Sequence, residues 1–129
     1  MTKEILLPLD FGKEIRLIDE ATGGEKGSKQ AMFSLIPTFA QTEEAKVYGM
    51  GAVKYAPYNW RKGYPFSWSY DALQRHLNAF WNGEDYDPES GLLHLAHARW
   101  HTGVLMEFIR YDLGTDDRVG KVESNANPG

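Results

Sequence analysis

The four histidines of this 129-residue chain all lie between residues 76 and 101. His76 falls on the apolar stripe of one predicted helix, and His94, His97 and His101 recur at helical spacing on the apolar face of the next. The link between the two helices is short, so we expect them to pack as an antiparallel pair. The spacing therefore predicts that the imidazoles lie together inside the fold.

Carboxylates crowd the link beside these imidazoles, namely Glu84, Asp85, Asp87 and Glu89. Imidazole and carboxylate groups gathered at one place suit a divalent metal ion or an acid–base site. Two simpler interpretations stay open. A helical histidine is often a hydrogen-bonded core residue, and Asp87 before Pro88 is typical of a helix N-cap.

A second candidate site is the loop over residues 54–62, where cations alternate with flat rings and an amide. Cations contact phosphates, rings stack on bases and an amide can bind a base edge. The pattern is typical of a nucleotide-binding loop, although an aromatic loop packed on the core has the same composition. The predicted substrate-binding residues are Lys54, Tyr55, Asn59, Trp60, Arg61 and Lys62.

Adjacent acids lie on the helix that precedes this loop. Glu44 shares the face of Val47 and Tyr48, so it is favoured as an inward metal ligand or general base, and Glu43 is kept as an alternative. A surface salt bridge to Lys46 or Lys54 is the simpler interpretation.

Three helices must position these residues. The first begins at Pro37 or Thr38 and is weakened by the glycines at 49 and 51. For the second, we predict an N-cap at Ser67 or Ser69 and an end at residues 82–83. For the third, we predict an N-cap at Asp87, Pro88 in the first turn and an end near Tyr111.

The remaining segments have weaker patterns. Residues 1–30 are predicted to form an irregular arm, with short strands over residues 5–9 and 15–18 and a loop over residues 22–29. Residues 31–113 form one helical domain, and residues 114–129 form a flexible tail. The expected fold is a small all-α bundle with an aromatic loop between its first two core helices.

Composition excludes several classes of protein. The chain has no cysteine, which excludes disulfides, thiol catalysis and zinc–thiolate sites. The net charge of −4 disfavours a binder of duplex nucleic acid. No apolar run approaches the roughly 20 residues of a membrane span and no secretion signal opens the chain, so we expect a cytoplasmic protein.

Three blocks carry a family resemblance: residues 51–63 (GAVKYAPYNWRKG), 70–76 (YDALQRH) and 82–98 (NGEDYDPESGLLHLAHA). In this order they resemble the phage dATP/dGTP diphosphohydrolase family, a MazG-like branch of the all-α nucleoside triphosphate pyrophosphatases. The likeness covers about residues 24–108. It implies a helical bundle, assembled as a dimer or tetramer, that cleaves a deoxynucleoside triphosphate into the monophosphate and pyrophosphate.

In the wider superfamily a metal is held by Glu-Glu-x-x-Glu on one helix and Glu-x-x-Asp on the next. By helix order these motifs fall near residues 75–79 and on residues 94–97, where this chain has no first-motif glutamates and has His94 and His97 instead of acids. Imidazole suits Mn²⁺, Zn²⁺, Ni²⁺ or Fe²⁺ better than Mg²⁺. Three alternatives follow: carboxylates from elsewhere complete the site, the imidazoles bind phosphate directly, or metal catalysis is lost.

The leading hypothesis is a metal-dependent purine dNTP pyrophosphohydrolase that acts in phage nucleotide-pool control, in the host cytoplasm. The hypothesis requires a Mg²⁺ or Mn²⁺ ion, and its predicted ligands are Glu84, Asp87, His94 and His97. The predicted catalytic residues are Glu44, His76 and His97. The alternatives are a non-catalytic protein that sequesters a host signalling nucleotide, and a phage structural or partner-binding module. The expected partners are a purine nucleotide and further copies of the chain.

Overall fold

The computed structural model describes residues 14–121 and confirms a mostly helical protein. The elements are β1 (Ile15–Ile18), β2 (Glu25–Ser28), a 3₁₀ helix (Phe33–Leu35), α1 (Thr38–Lys54), a second 3₁₀ helix (Asn59–Lys62), α2 (Phe66–Trp81) and α3 (His94–Tyr111). They form two compact units, one up to Pro37 and one from Thr38 onward. No helix within the described range is long and apolar enough to cross a membrane.

The N-terminal unit contains an antiparallel hairpin in which Ile15 pairs with Ser28 and Ile18 with Glu25. The turn is closed by the Gly23 amide, which donates to the Asp19 carbonyl at 2.6 Å, and Gly23 has a φ of 77°. The strand expected over residues 15–18 is confirmed, and the one expected over residues 5–9 lies outside the described residues. The prediction of a loop over residues 22–29 is wrong for residues 25–28, which form β2. These residues pair with β1 through their backbones, although their sequence lacks the alternation of apolar and polar residues that is typical of a strand.

The second unit is built on α3, against which both α1 and α2 pack. Its core consists of Phe66, Val104 and Phe108, surrounded by partly buried side chains that are mostly aromatic. The first helix begins at Thr38, as predicted, and continues through both glycines to Lys54. The second ends at Trp81, with Asn82 as its C-cap and Gly83 at a φ of 97°, which confirms the predicted end.

The predicted start of α3 is wrong. The helix begins at His94 with Leu93 as N-cap, and Asp87 belongs to a turn before it. In this turn the Asp87 amide donates to the Leu92 carbonyl at 2.8 Å, and Gly91 adopts a φ of 75°. An aspartate whose side chain accepts hydrogen bonds within its own turn is not available to cap a helix. The pattern of Asp87 before Pro88 therefore predicted the start of α3 too early.

The predicted N-cap of α2 is also wrong, because the helix begins at Phe66 and its cap comes from far along the chain. The Asp117 carboxylate accepts hydrogen bonds from the Ser67 amide at 3.0 Å and from the Ser67 hydroxyl at 2.5 Å. The Phe66 amide donates to the Thr115 carbonyl at 2.9 Å. The first described residues of the predicted tail are therefore hydrogen-bonded to the start of α2.

The close approach of residues 114–115 to the start of α2 depends on two glycines. Gly63 and Gly114 both have positive φ, 84° and 69°, and each lacks room for a side chain. A Cβ on Gly63 would collide with the Gly114 backbone, and one on Gly114 would collide with the Tyr64 carbonyl oxygen. The chain can cross over the start of α2 only because both residues are glycine.

We expect Asp117→Asn to lower the melting temperature at neutral pH, because the hydrogen bonds from Ser67 hold the pKa of Asp117 below its ordinary value of 3.8. A carboxyl whose folded pKa is depressed stabilises the fold above its unfolded pKa and loses that contribution as pH falls through the folded pKa. Thermal melts should therefore show a gap between parent and variant at pH 7 that closes in acid. A gap that does not narrow at all in acid would contradict this assignment.

Candidate active site

The four histidine rings form one cluster between α2 and α3, as their spacing predicts. The His76 ring stacks parallel to that of His97, with centroids 4.4 Å apart, and lies 5.1 Å from His94 and 6.0 Å from His101. His76 Nδ1 is 2.8 Å from His94 Nδ1, which is a hydrogen bond between two imidazoles. His94 and His97 are 4% and 7% exposed, so the cluster is closed from solvent on the α3 side.

Groups from the α2–α3 link anchor two of these rings. His94 Nε2 is 2.7 Å from Glu84 Oε1, and His97 Nε2 is 2.7 Å from the Ser90 hydroxyl and 3.5 Å from Asp87 Oδ2. If His94 Nε2 carries the proton donated to Glu84, its Nδ1 accepts the proton of His76 Nδ1. The Nε2 atom of His76 then holds a free lone pair.

Burial and mutual proximity lower the pKa of three of these histidines. Burial, with His97 and His94 nearby, lowers the pKa of His76 to about 4, and burial with His76 and His97 nearby lowers that of His101 to about 4. Burial also lowers the pKa of His97, although Asp87 opposes it. At pH 7 these imidazoles are neutral and can accept a proton.

The four predicted metal ligands are neighbours, but their donor atoms do not meet at one point. Glu84 and Asp87 approach ring nitrogens of His94 and His97, and the Nδ1 atom of His94 faces another imidazole. Across residues 14–121, no group of three or more histidine, aspartate or glutamate side chains is arranged to hold an ion. This arrangement does not fit a resident metal, and the metal-ligand roles stay predictions.

A buried serine connects the histidine cluster to the other side of α2. Ser69, which is 1% exposed, places its hydroxyl 2.9 Å from His101 Nδ1 and 2.5 Å from the Tyr64 hydroxyl. Burial raises the pKa of Tyr64, so this phenol stays protonated. Both Ser69 and His101 also line a cleft, so the cluster opens into that cleft at this end.

The cleft has a volume of about 1120 Å³ and is lined by α1, α3, the start of α2 and the loop after α1. Its wall is aromatic. Tyr48 contacts Trp60 edge-on at 6.3 Å between centroids and Trp100 at 6.0 Å, and Tyr64 stacks on Trp68 at 5.9 Å. A concave aromatic wall of this size suits a flat heterocycle.

Two carboxylates and a phenol are among the polar groups that line this cleft. Glu44 is paired with Arg99, whose Nε lies 3.0 Å from Oε1, and Glu107 faces the cleft from α3. Burial, with Glu44 and Glu107 nearby, raises the pKa of Tyr48 to about 12. The Tyr48 hydroxyl is therefore a permanent hydrogen-bond donor.

Comparison with known proteins identifies the family. Residues 20–118 match the family model described as dATP/dGTP diphosphohydrolase, N-terminal. The chain belongs to this family. A curated relative, the dATP/dGTP diphosphohydrolase of Salmonella phage PMBT28, is 36% identical over 77 residues, which are 60% of this chain and 26% of the relative. The match thus spans about a quarter of that relative's length. No solved structure matches the chain.

In this member of the diphosphohydrolase family, the structure separates the predicted substrate-binding residues into two groups. Tyr55, Asn59 and Trp60 line the cleft. The three cations lie outside its lining and are exposed: Lys54 lies over the Tyr55 ring at 5.3 Å, Arg61 lies 5.7 Å from the rings of Trp60 and Tyr111, and Lys62 ends the 3₁₀ helix.

The two glutamates of α1 also separate. Glu44, the favoured one, lines the cleft, whereas Glu43 is more buried, lies outside the lining and bonds Lys46 at 2.6 Å. Sequence reasoning did not find the polar and aromatic cleft residues Tyr48, Tyr64, Ser69, Trp100 and Glu107. Trp100, Gly103 and Glu107 recur at i, i+3 and i+7, a helical spacing that places them on a second, cleft-lining face of α3.

Proposed function

We propose that this chain hydrolyses a purine deoxynucleoside triphosphate, dATP or dGTP, to the monophosphate and pyrophosphate. The observation that carries the proposal is that one aromatic cleft and one histidine cluster share His101 and Ser69. Family membership and the name of the phage relative support the same reaction. A MazG-like relationship, inferred from the sequence blocks, is part of the proposal.

The base occupies the aromatic cleft in this proposal. Stacking on an aromatic side chain contributes about 1–3 kcal/mol per base. Trp60 and Trp100 offer rings that both contact Tyr48, and Asn59 offers an amide. The triphosphate then extends past Ser69 and His101 toward the remaining histidines.

Arginine supplies positive charge along this path. The Arg75 guanidinium contributes to lowering the pKa of both His76 and His101, so it lies close enough to act on them electrostatically. Arg75 is exposed and is available to a phosphate oxygen. Arg99, held by Glu44, is a second cation at the cleft.

His76 is the proposed proton acceptor. Its Nε2 takes a proton from the water that attacks the α-phosphorus, the bond from that phosphorus to the bridging oxygen breaks, and pyrophosphate leaves. Asp87, which favours the charged form of His76, and Glu84, bonded to His94, stabilise the imidazolium. His97 stacks on the reacting ring, and Glu44 assists by holding Arg99 at the cleft.

The divalent ion, Mg²⁺ or Mn²⁺, belongs to the substrate in this proposal. Triphosphates enter enzymes as their metal complexes, in which phosphate oxygens provide part of the coordination. The requirement for metal is thus a proposal about the nucleotide complex, and none of the proton steps above passes through a protein-bound ion.

The proposal also covers the oligomeric state of the protein and its setting in the cell. Several large apolar side chains of α1 and α3 are exposed, among them Val53 at 90%, Met106 at 64% and Ile109 at 63%. Helix surfaces of this composition favour association, and we propose a homo-oligomer, a dimer or a tetramer. Its setting would be the control of the nucleotide pool in the host cytoplasm.

The experiment incubates the purified chain with each dNTP and Mg²⁺ or Mn²⁺, with EDTA as control, and follows pyrophosphate and phosphate separately. We expect pyrophosphate from dGTP or dATP and none in EDTA. Tight binding of intact nucleotide would favour the sequestering alternative, and neither binding nor turnover would favour a structural or partner-binding module. Release of inorganic phosphate instead would contradict cleavage between the α and β phosphates.

A further inference from the structure

Two polar groups lie against Gly103 on the cleft wall, and a third lies one helical turn away. A Cβ at this position would lie 2.9 Å from the Tyr48 hydroxyl and 3.7 Å from Glu44 Oε2. Glu107 follows one turn later on α3 and also faces the cleft. Because residue 103 has no side chain, the Tyr48 phenol and the carboxylates of Glu44 and Glu107 can lie at the same part of the aromatic wall.

These groups differ in their availability to a ligand. The Glu44 carboxylate already binds Arg99. Glu107 is partly buried and, in the stretch from residue 14 to residue 121, neither accepts a hydrogen bond nor forms an ion pair. The Tyr48 hydroxyl stays protonated, because burial and the two carboxylates raise its pKa to about 12. Of these three groups, Glu107 therefore offers a free pair of acceptor oxygens and Tyr48 offers a donor.

This combination matches the hydrogen-bonding edge of guanine. Guanine presents an N1 proton and an N2 amino group, both donors, beside the O6 acceptor. One carboxylate can accept from N1 and N2 together, and a phenol can donate to O6. Adenine in the same pose presents its N1 acceptor to one carboxylate oxygen and its C2 hydrogen to the other, so neither oxygen receives a hydrogen bond, and its N6 amino donor replaces O6 opposite the phenol.

We infer that Glu107 and Tyr48 recognise the purine edge and make guanine the preferred base. The inference rests on the proposed function, because it assigns the base of the same nucleotide to the same cleft. Leaving one partner of a desolvated hydrogen bond unpaired costs about 1–3 kcal/mol, so we expect dGMP to bind about tenfold more tightly than dAMP.

The test uses nucleotides that cannot be turned over. Titrations of dGMP, dIMP and dAMP are followed by the fluorescence of Trp60 and Trp100, both of which line the cleft. Hypoxanthine differs from guanine only by the missing N2 amino group, so dIMP isolates a single contact to the carboxylate. The order expected is dGMP first, with dIMP and dAMP each about tenfold weaker.

Two variants assign the preference to residues. Glu107→Gln should weaken dGMP about tenfold and leave dAMP nearly unchanged, so the base preference disappears. Tyr48→Phe should weaken both dGMP and dIMP, since both carry O6. Asp71→Asn, an exposed aspartate of α2 outside the cleft lining, controls for the loss of one negative charge and should bind as the parent does.

The outcomes separate this inference from the proposed function. Equal affinity for dGMP and dAMP in a chain that still releases pyrophosphate would overturn the inference and leave the proposed function standing. An equal loss for all three nucleotides in Glu107→Gln would also overturn it, because a general structural role would then explain the effect. Failure of every nucleotide to bind would overturn the inference, and the absence of pyrophosphate release as well would overturn both.

Discussion

The double variant His94→Ala/His97→Ala should lose pyrophosphate release from dGTP by at least about 100-fold, the lower range of general acid–base catalysis. Both rings contact His76, the proposed proton acceptor, and both link it to the carboxylates of the α2–α3 connection. Without them His76 loses its hydrogen-bond acceptor and its stacking partner. The measurement is the rate of pyrophosphate release at saturating nucleotide.

Both side chains are buried, so the variant must first be shown to fold by circular dichroism and by its melting temperature. Thr102→Ala on the exposed face of the same helix is the matched control. Glu84→Gln provides a milder test, because Glu84 is exposed and its substitution disturbs only the anchor of His94. We expect a loss of about tenfold or more, the effect typical of an orienting partner. A folded double variant with the parental rate would show that the chemistry lies elsewhere.

Gly103→Leu should abolish nucleotide binding while the protein stays folded. Even the first carbon of a side chain at this position would lie 2.9 Å from the Tyr48 hydroxyl, and the rest of a leucine would occupy the cleft. Leucine forms helices better than glycine by about 0.8 kcal/mol, so α3 itself is not weakened. We expect the affinity for dGMP to fall by at least about 100-fold, corresponding to loss of the stacking and edge contacts together.

Thr102→Leu is the matched control, since it adds the same side chain one residue earlier on the exposed surface of α3. It should bind dGMP with parental affinity. Parental affinity in Gly103→Leu, measured by the same fluorescence titration, would show that the base does not occupy the cleft.

The histidine cluster was predictable because its information is local. Three histidines at i, i+3 and i+7 share a face on any helix, and a short link forces the partner helix that carries His76 to lie beside them. The start of α1 and the end of α2 were local in the same sense, since a Pro-Thr pair and an Asn-Gly pair mark them.

The errors arose where a distant or competing partner decides the structure. The α2 N-cap is supplied by Asp117, 50 residues away, which no local pattern around Ser67 can indicate. The α3 start was misplaced because Asp87 binds its own turn through the Glu89 amide and the Ser90 hydroxyl. Although burial raises it, these hydrogen bonds hold the pKa of Asp87 below its usual value.

The cleft was predictable only in part, because three helices and a loop form it together. The loop residues Tyr55, Asn59 and Trp60 were anticipated from composition. The residues that α3 adds to the cleft were missed because the face with the histidines already explained the apolar periodicity of this helix. Trp100 and Glu107 lie on another face. The outward positions of Arg61 and Lys62 depend on the 3₁₀ helix at residues 59–62, and composition does not specify that helix.

The most direct test of the account is a crystal structure of the chain with a non-hydrolysable dGTP analogue bridged by nitrogen between its α and β phosphates. The account predicts the guanine between the aromatic rings of the cleft, with its edge toward Glu107 and Tyr48, and the α-phosphate beside His76 and His101. Density for the nucleotide on the outer surface of the 54–62 loop, with the cleft empty, would contradict it.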